Sequence, residues 1–191
     1  PQVAIGEFGV GTSTPPAAVR AALKWKSGIL GLRRARVGWL LPTEHRVLAP
    51  RSLLELPKTV REPRLEYEGG AVQPRGVEIT ADYGDVFGLD LPLPTEAIRL
   101  SEPRIRGPKT NDQGQPEVEL LLVWTGSDPV AVGAHNLRTV ENGFAINRGI
   151  SFARDDLGAP VTSAEGGFLV GLLAIEEDGR GKVAFVYPVS R

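Results

Sequence analysis

Cysteine is absent from this chain, so thiolate attack, disulfides and Cys-ligated zinc or iron–sulfur centres are excluded, and a nucleophile activated by an imidazole would have to be a hydroxyl. A hydroxyl becomes a nucleophile only when a base stands within hydrogen-bond reach of it. The imidazoles are His45 and His135, and the serines nearest the most distinctive polar stretch, "RDDLGAPV" at 154–161, are Ser151 and Ser163. His45 falls in a turn between two apolar runs and His135 ends the strand-like run "VAVGAH", so neither stands beside a serine in sequence. Asp155 and Asp156 could form half of a metal site. Adjacent residues on one loop rarely face one ion, however, and neither His-x-x-x-His nor calcium-loop spacing accompanies them, so the pair reads as a solvated acidic turn. "GLRRAR" at 31–36 offers arginines without interleaved aromatics, the pattern of a charged edge strand rather than of a nucleic-acid groove. "EFGVGTS" is glycine-rich but lacks the Lys-Ser/Thr ending of a phosphate loop.

The elements that must position these groups are short strands. At 191 residues and 41% hydrophobic content the chain can bury a sizeable core without staples. Its 22 basic and 23 acidic residues create no global field, so a charged partner must be recognised locally, and nucleic acid is not expected as one. No apolar run is long enough for a membrane-spanning helix. Thr14, Pro15 and Pro16, the run "AAVRAALKWK" and Gly28 together predict one short helix over 16–26, within an N-terminal segment 1–28. Beyond it, β-branched and apolar runs alternate with turn residues, 23 Gly and 16 Pro in all. The candidate strands are "GILGLRR", "VGWLLP", "HRVLAP", "RLEYEG", "GVEITAD", "VFGLDL", "VELLLVW", "VAVGAH", "GFAINRG", "GFLVGLLAI" and "KVAFVYPV". This is an all-β pattern. The polar stretch 101–117, "SEPRIRGPKTNDQGQPE", carries no period and predicts a connection between two β-barrel subdomains, 29–100 and 118–191. A chain that starts at Pro1 without any Met reads as an excised domain of a larger protein, its compartment unassigned.

Three blocks in order carry a resemblance. "VGWLLPTEHRVLAPRSLL" (37–54) resembles the first block of the trypsin-like serine proteases, especially their bacterial HtrA-like branch. "RLEYEGGAVQPRGVEITADYGDVFGLDLPLP" is similar to that family's strand, hairpin and Asp-bearing strand. "RDDLGAPV" with "GFLVGLLAI" and "GKVAFVYPV" resembles its nucleophile loop and closing strands. The resemblance implies two antiparallel β-barrels. It lays Ser52 on the position of the base histidine, Asp85 on the orienting aspartate and Leu157 on the nucleophile serine, with Asp155 and Asp156 in the oxyanion loop where a glycine is usual before Asp156.

Chemistry at those positions sets the functional expectation. A neutral hydroxyl is a poor base, a leucine cannot attack a carbonyl, and loss of a triad member lowers rates by about 10⁴- to 10⁶-fold. The resulting expectation is a domain that is not an enzyme: a degenerate protease, without cofactor or metal. It would serve binding or architecture within a larger protein open to oligomer formation, by holding a peptide segment through β-addition. Two alternatives stay open: a serine hydrolase with a rearranged site, and a metal- or ligand-binding module on the same fold.

Overall fold

The computed structural model describes residues 15–93, 111–113, 117 and 120–189. They form two seven-stranded antiparallel sheets, ordered β5-β4-β1-β2-β3-β7-β6 and β10-β11-β14-β13-β12-β8-β9. The first comprises β1 (Val19–Ser27), β2 (Leu32–Pro42), β3 (Val47–Pro50), β4 (Val60–Tyr67), β5 (Gly70–Val72), β6 (Glu78–Asp82) and β7 (Val86–Asp90). The second comprises β8 (Leu120–Val123), β9 (Val130–Gly133), β10 (Leu137–Val140), β11 (Gly143–Ile146), β12 (Pro160–Ser163), β13 (Leu169–Asp178) and β14 (Gly181–Pro188). Register shifts within the β1–β4, β6–β7 and β12–β13 pairs are bulges, and they add the local twist that curls a sheet on itself. Two curled antiparallel sheets with almost no helix make the all-β, two-barrel trypsin-like architecture.

The expected helix over 16–26 is a strand. Residues Val19–Ser27 form β1, paired along its length with β2 and with β4. Ala21 and Leu23 face the core while Arg20 and Lys24 face water, a period of two that the helix-like ends Pro15-Pro16 and Gly28 disguised. Tertiary pairing overrides the helix propensity of Ala, Leu and Lys. The first sheet therefore begins ahead of the boundary expected at residue 29, and the α-helix among the described residues is α1 (Arg51–Leu54). Residues 1–14 of the expected N-terminal segment lie outside the described residues, as does most of the expected connection over 101–117. The run "GILGLRR" is divided, since Gly28–Gly31 is a turn and β2 starts at Leu32. His135 lies in a 3-10 turn (Ala134–Asn136), not on a strand.

Strand alternation distributes the core. In β3, Val47 and Ala49 enter the first barrel's cluster with Leu23, Leu40 and Leu65, whereas Leu48 turns the other way. Leu48 joins Leu41 and Val86 against Leu169, Leu172 and Val189 of the second sheet. In β13, Leu173 packs with Val161 and Val186 inside the second barrel while its neighbour Leu172 faces the first. Strands buried on both faces read as continuous apolar runs, which is why "VLAP" and "LVGLLA" show no alternation in sequence. The seam between the sheets is thus apolar and tightly shared.

Candidate functional site

Pro50 closes β3 and opens α1: with φ −67°, ψ 138° and no N–H, it ends the ladder and turns the chain into Arg51–Leu54. The Arg51 N–H donates to the Asp85 carbonyl at 2.8 Å, tying α1 to the head of β7. Asp85 is thereby bonded through backbone to Arg51, the residue before Ser52, and both Ser52 and Asp85 are half-buried. Among the described residues no hydrogen bond joins their side chains. The Arg51 guanidinium lies 5.7 Å from the centre of the Phe87 ring and 3.9 Å from the Glu55 carboxylate.

The acidic stretch reaches this corner from the second sheet. Arg154–Asp156 is a 3-10 turn closed by Asp156 Oδ2, which accepts the Ala153 N–H at 2.8 Å. Within it the Leu157 N–H donates to the Arg154 carbonyl at 3.3 Å. The Leu157 carbonyl accepts the Trp39 N–H at 2.8 Å, and the next residue's N–H, that of Gly158, donates to Leu173 at 2.7 Å. One loop is thus hydrogen-bonded to both sheets. Leu157 is 4% exposed and sits in the first barrel's core with Leu40, Val47, Ala49 and Leu53. Two glycines permit so close an approach: a Cβ on Gly38 would stand 2.7 Å from the Leu157 carbonyl oxygen, and one on Gly158 2.4 Å from that of Trp39.

Charged groups fix the loop from outside. Arg20 on β1 donates to the Asp155 carbonyl and stacks its guanidinium 3.9 Å over the Trp39 ring, while Arg154 pairs with Glu177 of β13. Asp155 itself is exposed and Asp156 half-buried. Arg20 escapes a sequence reading because its strand carries helix-like ends. Tyr187 is a second group the sequence hides, inside "KVAFVYPV". It packs against both the first barrel's cluster and the seam, stacks on Phe185 at 5.7 Å and donates its hydroxyl to Glu176 Oε1 at 2.9 Å.

Burial, then the bond to Glu176 and the charges of Glu176 and Asp85, push the Tyr187 phenol well above the ordinary tyrosine range. The raised folded value makes this group's contribution fully present below the unfolded value near 10, and lost as pH rises beyond it. Alkaline unfolding followed by circular dichroism should therefore start close to pH ~10 in the wild type. Tyr187→Phe should shift that onset upward, and an unchanged alkaline limb would show that Tyr187 does not carry the effect.

The remaining sequence candidates lie elsewhere. His45 is exposed in the turn between β2 and β3, and His135 is exposed with its Nε2 3.2 Å from Asn136 Nδ2. Ser151 is exposed, whereas the Ser163 hydroxyl is buried, donating to the Glu165 carbonyl at 2.7 Å and accepting the Phe168 N–H at 3.2 Å. Among the described residues no three His, Asp or Glu side chains gather as metal ligands would, and no helix is long and apolar enough to cross a membrane.

No protein-family model matches the chain, and no curated protein matches it by sequence. Solved structures do match its fold. The protease of tobacco vein mottling virus superposes with a TM-score of 0.55 at 11% identity, covering 87% of this chain and 76% of that one. Catalytically active tobacco etch virus protease complexed with product gives 0.54 at 10% identity, over 94% of this chain and 75% of that one. The serine protease of a human pathogenic astrovirus gives 0.50 at 12% identity, over 92% of each chain. These three are viral proteins, whereas the sequence blocks pointed to the bacterial HtrA-like branch. The expectation that the chain is not an enzyme is corrected by these matches. The fold it shares is that of proteases, one of them named as catalytically active, and two substituted positions in an alignment do not establish a loss of catalysis. What the chain has in common with all three is the two-barrel, chymotrypsin-like protease fold.

Proposed function

We propose that this chain holds an extended polypeptide segment beside the seam of its two sheets, adding it as a strand to an open edge. The observation that carries the reading is the fold's similarity to a protease solved with product and, in a separate structure, with substrate bound. An edge suited to this is present. Among the described residues the first half of β2, Leu32–Val37, pairs with β1 alone, since the register with β3 begins only at Leu41. That open edge leads directly to Trp39, where the 154–158 loop takes up the backbone. Main-chain N–H and C=O groups there would supply sequence-tolerant hydrogen bonds to an incoming strand.

The test is binding of unfolded casein to the immobilised chain, with a folded protein of similar size as control. Preferential capture of the unfolded chain is expected; equal or no capture would sink the reading. A second reading, favoured by the proteolytic neighbours, is that the held segment is also cut. Mass spectrometry of the recovered casein and labelling of the chain by a fluorophosphonate probe decide that question independently of binding.

A further inference from the structure

The hairpin joining β1 to β2 projects an apolar tip through a collar of positive charge. Its turn, Gly28-Ile29-Leu30-Gly31, closes with the Gly31 N–H donating to the Gly28 carbonyl at 3.2 Å, and both glycines adopt positive φ, 72° and 62°. Arg61 Nη2 donates to the same Gly28 carbonyl at 2.6 Å, pinning the tip to β4. The two central positions, where turns ordinarily place Asn, Asp or Ser, hold Ile29 and Leu30, which are 100% and 87% exposed; Leu32 beside them is 52% exposed. These aliphatic side chains gain nothing from the fold. A stable turn could be built with polar residues at both positions, so their contribution lies outside the chain.

The flanking register sharpens the point. Lys26 stands opposite Arg33 on one side and opposite Arg61 on the other, and Lys24 stands opposite Arg64. Like charges directly across a sheet destabilise it. Glu62 and Glu66 relieve part of this, pairing with Lys26 and Lys24 at 2.6 Å each. The Arg33 and Arg34 guanidinium groups are exposed and make no side-chain hydrogen bond or salt bridge among the described residues, Arg33 acting on Glu62 only through longer-range attraction. A chain with no net field of consequence has therefore concentrated cations behind an aliphatic tip.

We infer that this hairpin is a docking finger for an anionic lipid surface: Ile29, Leu30 and Leu32 enter the boundary between headgroups and acyl chains, while Lys26, Arg33 and Arg34 meet the anionic headgroups. Charge complementarity selects an anionic partner. The tip selects a bilayer over a nucleic acid or soluble anion, since those offer nothing apolar for two adjacent branched side chains to enter.

Co-sedimentation of the full chain with vesicles tests this, using phosphatidylcholine alone and phosphatidylcholine with about one third phosphatidylserine. Binding is expected to the mixed vesicles and at least ~10-fold less to the zwitterionic ones, weakening with added salt. Ile29→Ser with Leu30→Ser should reduce binding at least ~10-fold. Arg33→Gln and Arg34→Gln should reduce it about fivefold each. All four positions are exposed, so the variants should melt like the wild type, which separates docking from folding. No binding to anionic vesicles would overturn the proposal. Binding that the tip substitutions leave intact would also overturn it, marking an electrostatic site for polyanions instead.

Discussion

Leu157→Ala is expected to lower stability by about 2 to 5 kcal/mol, toward the upper end of the range for truncating a core leucine. The reason is that the site cannot relax. The Leu157 carbonyl is tied to Trp39 on the first sheet, and the Gly158 N–H to Leu173 on the second, so the backbone cannot sink into the space the side chain leaves. Leu40, Val47, Ala49 and Leu53 around it are themselves buried strand or helix residues. Urea unfolding of wild type and variant checks the value through a lower midpoint at an unchanged slope. Leu157→Met, which nearly conserves volume, should cost under about 1.5 kcal/mol. Equal stability of wild type and Leu157→Ala would mean that the loop stands off the first barrel in solution.

Gly158→Ala should also be strongly damaging, though it adds only a methyl group. At φ +85° an L-residue is strained by about 1–2 kcal/mol. The new Cβ would also stand 2.4 Å from the Trp39 carbonyl oxygen and 3.1 Å from Pro50 Cδ, neither of them the end of a flexible side chain. Relief requires the loop to lift from β2, breaking the Trp39–Leu157 hydrogen bond, so a total near 3 kcal/mol or more follows, with overpacking adding about 1–3 kcal/mol to the backbone strain. In thermal unfolding that corresponds to a loss of roughly 6–12 °C for a chain of this size. Because both substitutions disturb one loop, combining Gly158→Ala with Leu157→Ala should fall clearly short of additivity. A melting temperature unmoved by Gly158→Ala would refute the close approach of loop and strand.

What the sequence made legible was the pattern whose physics is local. Turn residues and β-branched runs announced an all-β chain, and most strands lie where those runs stand, "VFGLDL" as β7 and "KVAFVYPV" within β14 among them. Four strands were hidden, the three-residue β5 (Gly70–Val72) by its shortness and the others for separate reasons. In β1, proline and glycine imitated helix ends around residues of high helix propensity, and only pairing with β2 and β4 decides the matter. In β12, "PVTS" is too short and too polar to stand out, yet it is buried throughout between β8 and β13. In β10, "LRTV" puts its two apolar residues on opposite faces, so the four residues show no alternation. Around the site, the link between α1 and the head of β7 depends on a backbone bond from Arg51 to Asp85, residues far apart in sequence, which no local pattern announces. The hairpin arginines were visible as an edge-like run. They lie instead in β2, an interior strand between β1 and β3, whose first half is paired only with β1 among the described residues.

The insertion of Leu157 into the first barrel also bears on how the chain is made. On a ribosome, β1 to β7 emerge well before the loop that completes their core, because β7 ends at Asp90 and the leucine follows roughly 70 residues later. At ordinary elongation rates of about 5–20 residues per second, the nascent first half waits roughly 4 to 14 s with a leucine-sized hole between Leu40, Val47 and Leu53. Ala174, Phe185 and Tyr187, which also pack on that core, arrive later still. The N-terminal half therefore cannot finish as an independent unit ahead of its partner. Its last step is the arrival of a segment encoded downstream, which makes that interval the one in which a chaperone or an apolar surface of another chain has something to hold.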